Sequence, residues 1–162
     1  MGDLSRIAAE ILLSLQPILA GANIDPPRMV AVEPQKLQMW VCGGPCKVMA
    51  WYAPEGTIYI DNRLNLENHV GARSVVVHEL VHHVQRRTHG GRAQSCDEWI
   101  QREQEAYATQ AIWLRSKGVR ARNITFQARF LSCVRPAVDE DPQAPDSGTD
   151  NTILSTHSGE DR

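Results

Sequence analysis

The stretch that decides the fold runs Ser74-Val75-Val76-Val77-His78-Glu79-Leu80-Val81-His82-His83-Val84-Gln85. It contains the spacing H-E-x-x-H, at His78, Glu79 and His82. On a helix, a step of four residues is about one turn, so both imidazoles project from the same face. A separate apolar wall is formed by Val77, Leu80, Val81 and Val84. The pattern therefore predicts an amphipathic helix that packs on a core and aims two nitrogen ligands at one point.

This spacing is typical of a zinc site. Neutral imidazole is a good Zn²⁺ ligand, and a carboxylate directly after the first histidine can accept a proton from water at the metal. The pattern predicts His78 and His82 as ligands and Glu79 as the general base. His83 points about 100° from His82, so we expect it in the core or beside the ligands. His89, in the loop that ends the helix, is an alternative ligand.

The third ligand is expected on a second helical stretch, from Asp97 to Leu114, which offers Glu103 and Glu105. At 3.6 residues per turn, Glu103 lies in the middle of the apolar face, whereas Glu105 lies about 200° away among polar residues. A buried carboxylate without a partner is costly, so Glu103 requires a cation. The metal held by the two histidines would supply it, and a salt bridge to a core arginine is the alternative.

The H-E-x-x-H motif, followed on a second helix by Glu103-Gln104-Glu105-Ala106-Tyr107, resembles the gluzincin clan of zinc metallopeptidases. It is most similar to the small single-domain minigluzincins, over residues 56–114. The resemblance implies a zincin-like fold, Zn²⁺ at His78, His82 and Glu103, and a peptide or protein substrate. It also implies that an exposed edge strand lies beside the site and binds the peptide as an added strand; Thr57 to Asp61 is the strand expected there. One departure is Tyr107, which stands where many gluzincins carry an Asp that orients the first histidine.

The expected reaction is hydrolysis of a peptide bond, in which Glu79 activates a water at the zinc and passes its proton to the leaving amine. The developing oxyanion requires a further donor besides the metal. The sequence does not choose among the candidates Tyr59, Tyr107, His83 and Arg129.

The rest of the chain predicts an α+β domain, with a small antiparallel sheet packed on helices. The domain is expected to span residues 1–135, with strands at 29–33, 37–42, 47–53 and 57–61. Helices are predicted at 3–20, 72–88, 97–117 and 120–134. Residues 136–162 are rich in Pro, Asp, Ser, Gly and Thr, and this composition predicts a disordered tail.

Composition narrows the function and the compartment. The net charge is −2, from 17 basic and 19 acidic residues, so a nucleic-acid partner is not indicated. No apolar run is long enough to span a membrane. The four cysteines favour two disulfides, Cys42–Cys46 and Cys96–Cys133, and hence an exported protein whose leader has been removed or replaced. The spacing of Cys42 and Cys46 also fits a reduced pair or half of a metal site, in which case the protein is cytoplasmic.

The favoured hypothesis is therefore a zinc-dependent peptide hydrolase. The main alternative is a catalytically silent binding or regulatory module that keeps the zincin fold and the metal. A second alternative is a structural zinc domain that uses Cys42, Cys46 and histidines. A third is a self-inhibited form, in which the N-terminal helix or the tail covers the cleft.

Overall fold

The computed structural model describes residues 2–19, 24–122 and 124. These residues form four helices and three strands. In chain order they are α1 (Gly2–Leu15), β1 (Arg28–Val32), α2 (Pro34–Cys42), β2 (Ala50–Tyr52), β3 (Thr57–Asp61), α3 (Val70–His89) and α4 (Cys96–Ser116). The predicted α+β class is confirmed. No helix among these residues is both long enough and apolar enough to cross a membrane.

The sheet is mixed, not antiparallel as predicted, and its strand order is β1-β3-β2. β3 pairs parallel with β1 and antiparallel with β2. A parallel pair needs a crossover, and here the segment that holds α2 and β2 supplies it. The expectation that Thr57–Asp61 is an exposed edge was wrong, because this strand is central. The edge that faces the long helices is β2.

The predicted strand at residues 37–42 is also wrong, since this segment belongs to α2. Pro34 occupies the first turn of the helix, where its missing N–H costs nothing. Gly43 ends the helix with φ +68° and donates its N–H to the Met39 carbonyl. The Val, Met and Trp side chains here suggested a strand, but the Pro and Gly define the two ends of a helix. The strand expected at 47–53 is shorter, Ala50–Tyr52.

The core lies between α1, α3, α4 and one face of the sheet. The predicted apolar stripe of α1 is buried at Ile7, Ala8, Ile11 and Leu15, although the helix ends at Leu15. From the sheet come Met29, Ala50, Ile58 and Ile60, and from α3 come Val76, Val77, Leu80 and Val84. The opposite face of the sheet carries Tyr59, whose ring packs against Trp40 and Trp51.

α3 and α4 form the helix pair that positions the site, and both were predicted within two residues at each end. Ser95 caps α4 and accepts a hydrogen bond from the Glu98 N–H. Between the helices, the Gln110 amide donates to Ser74 Oγ at 3.1 Å. Gly90 ends α3 with φ +76°, and this left-handed turn sends the chain toward α4.

Some of the sequence-based predictions fall on residues outside the described part of the chain. These are most of the helix at 120–134, the tail at 136–162, Cys133 with its proposed bridge to Cys96, and Arg129.

The packing of α1 predicts different effects for two leucines on the same helix. Leu15 is fully buried, whereas Leu13 is 62% exposed. We expect Leu15→Ala to lower the free energy of unfolding by about 2–5 kcal/mol, because it removes buried methyl groups and leaves a cavity. Leu13→Ala should change it by less than about 0.5 kcal/mol. Denaturant unfolding of both variants measures the difference, and equal effects would contradict this placement of α1.

Candidate metal centre

The three predicted ligand side chains meet between α3 and α4. The Nε2 atoms of His78 and His82 lie 3.1 Å apart. One oxygen of Glu103 lies 3.2 Å from His78 Nε2, and the other lies 3.1 Å from His82 Nε2. All three residues offer a ligand atom within 4.8 Å of the others. The helical spacing of four residues on α3 produces the first contact, and the burial of Glu103 on the facing side of α4 produces the other two.

This arrangement has the size that a metal ion requires. Nitrogen and oxygen ligands about 2.0–2.2 Å from a tetrahedral ion lie roughly 3.4 Å from one another. The observed separations are slightly shorter, so a small outward shift of the side chains would admit an ion. His78, His82 and Glu103 could therefore hold a metal ion.

Without a metal, the same three groups form a charged hydrogen-bonded cluster. Burial alone would lower the pKa of His82, but the Glu103 carboxylate outweighs this effect and raises the pKa to about 9. Burial alone would raise the pKa of Glu103, but the two histidines hold it well below its usual range. The metal-free pair is thus an ion pair at neutral pH, and a metal must displace the His82 proton to bind.

Gln85 orients His82, and sequence reasoning did not give it this role. Its amide nitrogen donates to the Arg102 carbonyl at 2.9 Å and to Glu105 Oε2 at 2.8 Å. With both donors directed at acceptors, its Oε1 faces His82 Nδ1 at 2.9 Å and accepts that proton. This contact turns Nε2 of His82 toward the site. Glu105, which the helical wheel placed among polar residues, is exposed and accepts one of these hydrogen bonds.

His78 lacks such a partner. Its Nδ1 is buried, and no described residue forms a hydrogen bond with it. The Tyr107 ring packs beside it instead, with the ring centres 4.4 Å apart. This contact holds the imidazole by packing alone, in the place where the gluzincin resemblance would expect a carboxylate. The two histidine ligands are therefore supported in different ways.

Glu79, the predicted base, lies beside the three ligands and beside the sheet edge. It is 8% exposed, and its Oε2 accepts a hydrogen bond from the Tyr52 backbone N–H at 2.8 Å. No described residue forms a hydrogen bond with its other oxygen. The Tyr52 contact attaches α3 to β2 and fixes the carboxylate at the wall of the cavity.

The site opens into a cavity of 1360 Å³ that extends between α3, α4 and β2. Its wall includes His78, Glu79, His82, Glu103 and Tyr107. Burial, with the charges of Glu103 and Glu79, raises the pKa of Tyr107, which keeps its hydroxyl protonated. The hydroxyl of Tyr107 can therefore act as a donor in this cavity.

Three other candidates lie away from the site. His83 is a core histidine, because its Nε2 donates to the Asp25 carbonyl at 2.9 Å and its Nδ1 lies 3.1 Å from the Tyr52 hydroxyl. Burial lowers the pKa of His83, which keeps it neutral. Tyr59 lies on the opposite face of the sheet, and neither it nor His83 lines the cavity. His89 is exposed and contacts Thr88, so the alternative ligand is also excluded from this cluster.

The predicted Cys42–Cys46 disulfide is confirmed. A disulfide sulfur has no thiolate to offer a metal, so the alternative of a structural zinc site at this pair is not supported. The two cysteines instead line one end of the cavity.

We expect Gln85→Leu to weaken binding of Zn²⁺ or Co²⁺ by roughly 10-fold to 100-fold, because His82 loses the acceptor that fixes its ring. The matched control is Gln104→Leu, an exposed position on α4. Competition with a chromophoric chelator measures both affinities. Equal affinities of the two variants would remove the proposed role of Gln85.

The cluster also predicts how the stability of the chelator-treated protein depends on pH. The pKa of His82 is raised on folding, so its contribution is complete below about 6.5 and is lost as the pH rises through about 9. The pKa of Glu103 is lowered, so its contribution is present above about 4.5 and is lost only in stronger acid. We expect the Tm advantage of the wild type over Glu103→Gln to shrink between pH 6.5 and pH 9.5. A constant difference would contradict the ion pair.

Comparison with known sequence families gives one match. Residues 31–141 match the family described as "Domain of unknown function (DUF6647)". This range holds the end of β1, the elements α2 to α4, and the site residues His78, Glu79, His82 and Glu103. No curated protein and no solved structure matches the chain. Because the family match covers most of the sequence, the chain belongs to the DUF6647 family.

Proposed function

We propose that this protein is a zinc-dependent peptide hydrolase with a zincin-like arrangement of its helices and sheet edge. The observation that carries the proposal is the convergence of His78, His82 and Glu103, with the Glu79 carboxylate held beside them by the backbone of β2. Three ligands and an adjacent base, in the wall of an open cavity, form the minimal apparatus of metal-assisted hydrolysis.

The donor set favours zinc. Two imidazoles and one carboxylate are the ligands of many catalytic zinc sites, in which the fourth position stays open. When bound, Zn²⁺ lowers the pKa of a water ligand toward neutrality and polarises a carbonyl. His78, His82 and Glu103 would hold it.

Glu79 would act as the general base. The Tyr52 N–H holds Oε2, which leaves Oε1 to accept the proton of the attacking water. The same carboxyl group then donates this proton to the leaving amine. Because the backbone of β2 fixes Glu79, its position is set before the substrate arrives.

Tyr107 is the best-placed additional donor for the oxyanion. It lines the cavity, it contacts the ring of His78, and its protonated hydroxyl can donate a hydrogen bond to the carbonyl oxygen as negative charge develops. Of the other candidates, Tyr59 and His83 lie outside the cavity wall.

A peptide is the substrate that best fits the surroundings. The Asp61 N–H donates to the Met49 carbonyl and the Ala53 N–H donates to the Thr57 carbonyl, so alternate residues of β2 face β3. The intervening residues, Ala50 and Tyr52, direct their backbone groups toward the cavity side. Because Glu79 already takes the Tyr52 N–H, an extended peptide could pair with the remaining edge groups, those of Ala50 and the Tyr52 carbonyl. The cavity of 1360 Å³ also exceeds the roughly 300–1,000 Å³ of ordinary small-molecule pockets.

The Cys42–Cys46 disulfide favours an oxidising compartment, so we place the protein among exported proteins.

A second candidate is a module that binds the metal without hydrolysing peptides. It is favoured by His78, because no described residue pairs with its Nδ1, and packing alone orients this ligand where a hydrolase needs its metal held in a fixed orientation. Metal content and turnover distinguish the two functions.

We expect Glu79→Gln to keep one equivalent of zinc and to lower peptide hydrolysis by at least about 100-fold, because glutamine cannot accept the proton. Cleavage of a peptide library by mass spectrometry, with zinc measured by elemental analysis, tests this. The control is Glu33→Gln, an exposed carboxylate before α2, which should change neither value. A wild-type protein that binds zinc but cleaves nothing would favour the second candidate.

Glu103→Gln should lower both the zinc content and the activity, because an amide is a poor zinc ligand. Full zinc occupancy in this variant would remove Glu103 from the ligand set.

A further inference from the structure

Arg86 extends the row of side chains that forms the metal centre. It lies four residues after His82 on α3, which itself lies four after His78, so the three share one face of the helix. Arg86 is half-buried and lines the same cavity. A substrate bound over the ligands would therefore pass its guanidinium.

Arg86 has no anionic partner in the described part of the chain. Other partly buried arginines do: Arg102 pairs with Glu98, and Arg73 contacts Glu10. Arg86 makes neither an ion pair nor a side-chain hydrogen bond with any described residue. A half-buried guanidinium has lost part of its water, so an incoming carboxylate gains more there than at a fully exposed arginine.

The cavity wall as a whole is cationic. Its acidic side chains among the described residues are Glu79 and Glu103, which already belong to the metal centre. Its basic side chains are Lys47, Arg86, Arg92, Arg102, Arg120 and Arg122. Of the 17 basic residues of the chain, six line this cavity, against two of its 19 acidic residues.

Arg86 also lies near the strand that would hold a peptide. Burial raises the pKa of Tyr52 on β2, and the charges of Arg86 and, after it, Arg87 act against this rise. Tyr52 in turn donates its backbone N–H to Glu79. Arg86 is thus close to the end of the sheet edge at which a peptide would pass the base.

We propose that Arg86 is a specificity-determining residue that binds an acidic side chain of the peptide substrate. This role in substrate binding rests on the proposed hydrolase function, but the binding of an acidic peptide does not require turnover. The bond would be a charge-assisted hydrogen bond from the guanidinium to a Glu or Asp carboxylate.

The test measures peptide binding to the full chain after chelator treatment, so that no hydrolysis occurs. The probes are a fluorescein-labelled peptide with several glutamates, blocked at both termini, and the same peptide with glutamines. Fluorescence anisotropy gives Kd for the wild type, Arg86→Gln and Arg86→Lys. The matched control is Arg87→Gln, which removes the same charge from the neighbouring exposed position outside the cavity wall.

We expect the wild type to bind the glutamate peptide at least tenfold more tightly than the glutamine peptide. Arg86→Gln should abolish this preference, Arg86→Lys should keep part of it, and Arg87→Gln should stay within about twofold of the wild type. Equal losses of affinity for the glutamate peptide in Arg86→Gln and Arg87→Gln would show a general attraction between charges and would overturn the proposal. Retained preference in a folded Arg86→Gln protein would also overturn it.

A further arm identifies the source of the carboxylate. The chain itself carries the acidic run Asp139-Glu140-Asp141. If conversion of this run to the corresponding amides tightened binding of the glutamate peptide more than tenfold, the anion at Arg86 would belong to the chain itself, and the substrate proposal would fall. Unchanged binding supports it. Loss of hydrolysis with intact peptide preference would count against the proposed function alone.

Discussion

The structure depends on one buried carboxylate. Glu103 lies between two imidazoles contributed by a different helix, and its charge is tolerated only because His78 and His82 face it. This requirement brings α3 and α4 together at a fixed register. The same register places Gln85 between the helices, where its amide satisfies groups from both. The cavity, the base and the sheet edge then take their positions around this contact.

Periodicity was sufficient to predict α3, α4 and the convergence of the three candidate ligands. The four-residue spacing of His78 and His82 and the apolar positions of α3 gave the long helix within two residues. The helical wheel of α4 distinguished Glu103 from Glu105, because only Glu103 lies on the buried face. These predictions succeeded because they depend on local geometry, which the α-helix repeats without reference to the rest of the chain.

One error overlooked local signals, and the others concern information that is not local. Residues 37–42 have strand-like side chains, yet Pro34 and Gly43 define a helix, and these boundary signals were available in the sequence. The central position of β3 could not be predicted from the sequence, because the order of strands depends on how α1 and α3 pack on the sheet. The role of Gln85 was also hidden, because its partners on α4 come from tertiary packing.

The division of the ligands between two helices has a consequence for biosynthesis. During translation, α3 leaves the ribosome first with both His78 and His82, and Glu103 follows only with α4. A nascent chain that stops before α4 lacks the third candidate ligand, so the binding of a metal by all three residues would follow the docking of these helices. A metal ion bound at this stage would slow the separation of α3 and α4. The supply of metal would then determine how long the protein stays folded.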